Sequence, residues 1–148
     1  MRCTGTAWLF AWVISVFLPS AVIAALGLSG PAQAAGNIFA ASWKVADDMA
    51  PAAKLLLGAL LLLFLALSAR RLKSRLGLAL LVNALLGALA MIAPLLLLPA
   101  DWSRGFGIGL GGARLDPALL PVYLGGGIAA GLLFTLLQRR CAARQARP

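Results

Sequence analysis

The apolar residues of this chain fall in four blocks, residues 7–28, 55–69, 76–98 and 119–137, separated by short polar or glycine-rich stretches. A water-soluble helix shows its apolar residues as a stripe every three or four positions, whereas these runs approach the roughly 20 residues that a helix needs to cross a bilayer. The pattern predicts an all-α integral membrane protein. Three transmembrane helices follow an N-terminal signal peptide or signal anchor, giving four apolar helices in the precursor.

Residues 1–34 form the leader, with Arg2 ahead of the apolar block and Ala32-Gln33-Ala34 as a small-x-small cleavage pattern after it. The block exceeds a usual leader core and carries Pro19, so cleavage after Ala34 and retention as an anchor both stay open. Residues 37–50 alternate differently. Phe39, Trp43, Ala46 and Ala50 share one helical side and Lys44, Asp47 and Asp48 the other, which predicts a short amphipathic helix in the headgroup layer with Trp43 as an anchor.

Residues 51–98 read as a helical hairpin. Its first helix starts near Pro51, where proline is tolerated, and Lys54 reaches outward. The turn 70–75 holds Arg70, Arg71, Lys73 and Arg75, and the second helix ends before Pro99, with Trp102 as a second interface anchor. Residues 99–118 form a glycine-rich loop, 119–137 the last crossing, and 138–148 a basic tail containing Arg139 and Arg140.

Charge fixes the orientation. The turn and the tail each carry +4, while 36–54 and 100–117 are each neutral. Lys and Arg accumulate in cytoplasmic segments, so the turn and tail are expected inside a bacterial inner membrane and the other two segments outside. The same cations are candidates for contact with lipid headgroups.

Composition agrees with the blocks: 62% of the 148 residues are hydrophobic and 11% charged, against about 25% charged in soluble domains. A net charge of +9 raises the question of nucleic acid, but the cations sit beside apolar blocks without interleaved aromatic platforms, and no nucleic-acid partner is expected. Histidine is absent, which removes the commonest general base and metal ligand. Cys3 and Cys141 lie near opposite ends with no C-x-x-C spacing, so a disulfide framework is not expected.

Candidate chemistry is sparse. The run 107–112 fits G-x-G-x-x-G, but the strand, helix and acidic residue that a dinucleotide fold places around it are missing from the pattern. Asp47 and Asp48 lack further oxygen ligands for a cation nearby, and Asp101, Arg104, Arg114 and Asp116 read as solvated pairs. No cofactor, metal site or catalytic residue is therefore expected. Asn83 is the one strongly polar residue well inside an apolar block, suited to an interhelical hydrogen bond. Gly127 and Gly131 make a small-xxx-small pair, and Gly87 with Ala84 makes a second small patch for close helix packing.

These features point to a non-enzymatic membrane protein, a subunit or accessory of a larger assembly, with the bilayer, further copies or other membrane proteins as partners. A self-associating pore shares the layout of some phage holins, and a small transporter is a further alternative. The leader ending in Ala32-Gln33-Ala34, followed by a hairpin around a basic turn, resembles the precursors of conjugative pilins over residues 1–98. The glycine loop and last block depart from that pattern.

Overall fold

A computed structural model describes residues 2–27, 37–47, 49, 51–72, 75–97 and 119–145. The chain is an all-helical membrane protein. Its helices are α1 (Arg2–Ala25), α2 (Ile38–Asp47), α3 (Pro51–Arg71), α4 (Leu76–Leu97) and α5 (Leu120–Gln145), with no strand among the described residues. The long helices α1, α3, α4 and α5 are each long and apolar enough to cross a membrane. The last crossing outruns its apolar block, because the first residues of the basic tail continue the helix to Gln145.

Local chemistry sets the helix ends. Gly27 adopts φ 64°, a left-handed conformation that glycine reaches without strain, and closes α1 with its N–H on the Ala24 carbonyl at 3.3 Å. Asn37 caps α2, its side-chain oxygen accepting from the Ala40 N–H at 2.7 Å. Proline occupies the first position of α3, where its missing N–H costs nothing.

Helices α1, α3, α4 and α5 close into a ring in which α5 packs between α4 and α1, and α3 between α4 and α1. Neighbours run antiparallel, as the pairs Trp8 with Gly58, Trp12 with Lys54, Asn83 with Thr135 and Gly87 with Gly127 show. On α3 the inward residues Ala53, Leu57, Leu61 and Leu65 recur every fourth position, while Leu55, Leu62, Leu63 and Leu67 face outward. Both faces are apolar because lipid, not water, surrounds the helix.

The first helix is a full member of the bundle. Ala7, Ala11, Val16 and Ile23 are buried in it. The Trp8 and Trp12 indole N–H groups donate to the carbonyls of Gly58 and Lys54 at 2.8 and 3.0 Å. Gly58 makes room for this contact, since a Cβ there would meet the Trp12 ring at 2.8 Å. Pro19 leaves the Ser15 carbonyl without its usual i+4 donor, and α5 approaches at that point through Gly126, where a Cβ would strike the proline ring.

These bonds set α3 beside the first half of α1, and α2 takes the second half, with the Phe17 and Trp43 rings 5.5 Å apart. Within the bundle α2 turns small residues towards α1. Ala41, Ser42, Val45 and Ala46 turn inward, whereas Phe39 and Trp43 are 76% and 57% exposed. Small residues win the inner face because they let α2 lie close to α1, and the aromatic rings project outward.

The antiparallel pairing of α1 with α5 also brings the chain ends together. Cys3 and Cys141, 138 positions apart, are joined as a disulfide with a Cα–Cα distance of 5.6 Å, contrary to the expectation from their separation. The sequence distance carried no information about this contact, because each pair of crossings returns the chain to the same end.

Candidate functional site: a polar pocket at the basic end

Asn83 lies on α4 with 2% of its surface exposed. Its Nδ2 donates to the Thr135 hydroxyl on α5 at 2.8 Å, and that hydroxyl donates to the Gly131 carbonyl one turn back at 3.0 Å. The chain of bonds fixes the amide orientation. A hydroxyl has one proton, and Thr135 gives it to Gly131, so it receives from Asn83, leaving Oδ1 of Asn83 as a free acceptor.

Glycines create the closeness this bond needs. A Cβ on Gly131 would fall on the Asn83 backbone carbonyl, and one on Gly87 would fall on the Gly127 carbonyl. Gly87, Gly127 and Gly131 thus meet within the chain, at one seam between α4 and α5, with Ala84 beside Gly131. Backbones in contact gain dispersion and leave no lipid between them.

Beside this seam, towards the basic end, lies a cavity of about 360 Å³ lined by α3, α4 and α5. Ser68, Asn83, Thr135, Gln138 and Arg139 supply its polar wall, and Ala69, Leu72, Ala79 and Ala142 its apolar one. Three of the polar atoms, Ser68 Oγ, Asn83 Oδ1 and Arg139 Nη2, are buried without a hydrogen-bond partner among the described residues. Leaving such an atom unpaired costs about 1–3 kcal/mol, more when it is charged. All three belong to residues that line this one cavity.

The remaining cations surround this end. Arg70, Arg71, Arg75 and Arg140 are exposed, Arg139 is half-buried, and Lys73 lies outside the described residues. Gln138 spans from the cavity towards α1, its Nε2 donating to the Thr4 hydroxyl at 3.5 Å. At the opposite end Trp43 is exposed, and Trp102 and the glycine loop with Asp101, Arg104, Arg114 and Asp116 lie outside the described residues, as do Ala32-Gln33-Ala34 and Asp48.

Asn83 was visible in the sequence as a polar residue in an apolar run. Ser68 and Thr135 were not, because a helical hydroxyl commonly bonds a carbonyl of the preceding turn, as Ser20 and Ser42 do here at 2.8 and 2.7 Å, and Gln138 was not, because it follows the last apolar block and reads as part of the polar tail. Only the juxtaposition of three helices distinguishes them. Comparison of the chain with protein-family models, curated proteins and solved structures gives no match.

Proposed function

We propose that this chain is a four-span protein of a bacterial inner membrane, with α1 retained and both ends cytoplasmic, that serves a membrane assembly as a non-enzymatic, ligand-holding accessory. The observation that carries the reading is the pocket at the basic end with its three unpaired polar atoms. Its groups are two amides, two hydroxyls and a guanidinium, which hold and orient a ligand and do not exchange protons near neutral pH.

Retention of α1 is supported by its packing. Removing it would strip α3 of both indole bonds and expose the face of α5 at Gly126. The glycine seam is occupied inside the chain, so partners in the assembly meet outward faces such as the row Leu78, Leu81, Leu85 and Leu89 on α4.

Crosslinking in native membranes followed by purification and mass measurement tests this. The expected result is recovery of the full chain in a defined complex larger than one copy. A chain starting at Ala35, or an intact chain recovered only as a monomer, would count against the corresponding half of the proposal.

A further inference from the structure

We infer that the pocket at the basic end holds a phosphate ester bearing a hydroxyl, the chemistry of a glycerophosphate; this deepens the ligand-holding role proposed above and rests on it. Three atoms define what fits. Arg139 Nη2 requires an anionic oxygen, and a charge-assisted bond to phosphate satisfies it best. Asn83 Oδ1 accepts only, so the ligand must also carry a donor. Ser68 Oγ, with 7% of its residue exposed, sits on the third wall and can give or take a bond.

The donor requirement separates ligands that share a phosphate. A choline headgroup has no N–H or O–H and leaves Asn83 Oδ1 unpaired. An ethanolamine headgroup has N–H donors but brings a cation into a pocket that already holds Arg139, at an end that carries Arg70, Arg71 and Arg140. A glycerol headgroup supplies the anion and a neutral hydroxyl together. About 360 Å³ suits a group of that size, and Leu72, Ala69, Ala79 and Ala142 offer an apolar side for the ester-linked portion. The pocket also lies where the headgroups of an anionic cytoplasmic leaflet would meet the bundle in the proposed orientation.

The source of the glycerophosphate is either a lipid of that leaflet or a soluble ester, and the two are separable. The full chain in detergent is titrated with phosphatidylglycerol, phosphatidylethanolamine and phosphatidylcholine of identical acyl chains, and in a separate arm with glycerol 3-phosphate, while bound species are counted by native mass spectrometry. Phosphatidylglycerol is expected to bind about tenfold more tightly than phosphatidylcholine, as the loss of one or two buried bonds implies. Tight binding of glycerol 3-phosphate alone would assign the soluble source.

Arg139→Gln should lower the affinity by about tenfold, and Ser68→Ala by a smaller factor, whereas Arg140→Gln, exposed beside the pocket, should change it less than about twofold. Helical content measured by circular dichroism on each variant separates a lost ligand from a lost fold. Binding without headgroup preference that Arg139→Gln still removes would overturn the headgroup assignment and leave the ligand-holding role standing. Equal effects of Arg139→Gln and Arg140→Gln would overturn the assignment by showing a diffuse basic surface. Failure of all four compounds to bind would overturn it and withdraw the pocket's support for the proposed function.

Discussion

Two seams of the bundle work in opposite ways. Between α4 and α5, Gly87, Gly127 and Gly131 bring backbone against backbone, locked by the bond from Asn83 to Thr135. Between α1 and α3, Trp8 and Trp12 fill the gap with indole rings stacked 5.5 Å apart and pin it by N–H bonds to carbonyls. The glycine seam has no side chain that can move aside. The tryptophan seam consists of side chains, and so can yield.

That contrast predicts very different tolerances. Gly131→Val should be the most damaging change, since its Cβ would fall on the Asn83 carbonyl and only a backbone shift relieves it. A loss of roughly 3 kcal/mol or more is expected in denaturant titration of the micelle-bound protein. A near-neutral Gly131→Val would mean that α4 and α5 are not in contact there. Gly58→Ala should cost less, about 1 kcal/mol, because the Trp12 ring rather than backbone meets the new carbon.

The tryptophan seam can be probed further by coupling. Trp12→Phe removes one indole bond and should cost about 0.6–1.7 kcal/mol, the range of interhelical bonds in membranes. Combined with Gly58→Ala its effect should be less than additive, because the smaller ring leaves space for the methyl group. Strict additivity in that double-mutant cycle would separate the two residues. Asn83→Leu is predicted to have the smallest effect on stability, since it loses the bond to Thr135 but also removes the unpaired Oδ1. A loss above about 2 kcal/mol in the same titration would show that Oδ1 is already satisfied.

The sequence revealed the features that depend on block length and breakers. Pro51 and Leu76 open their helices where the pattern predicts, and α4 is described as far as Leu97, within the apolar block that ends before Pro99. Features that depend on which helices become neighbours were hidden. Trp8 and Trp12 read as ordinary apolar residues of a leader until α3 lies beside them. That Ala41 and Val45 of α2 would lie against α1 was hidden in the same way, whereas Ala46 already stood on the apolar side of the pattern. In the pocket Asn83 and Arg139 were legible, the one as an amide in an apolar run and the other as a cation of the basic tail, whereas the hydroxyls of Ser68 and Thr135 were not.

The Cys3 and Cys141 pair joins this contrast to the question of compartment. Packing alone puts the two residues within bonding reach, at the end where the basic clusters lie. Whether they form a disulfide then depends on the surroundings, since the cytoplasm keeps thiols reduced and an oxidising compartment closes the bond. The proposed orientation, with the basic end inside, therefore predicts a dithiol in the growing cell that closes to the disulfide on oxidation.

Labelling of these two cysteines with a membrane-impermeant maleimide tests the four-span arrangement most directly. Reduced spheroplasts are compared before and after permeabilisation, and the intact mass of the labelled chain is read. The account predicts a chain that still contains Cys3, with neither cysteine labelled until the membrane is opened and both labelled afterwards. Labelling of Cys141 in sealed spheroplasts, or a mature chain without Cys3, would contradict it.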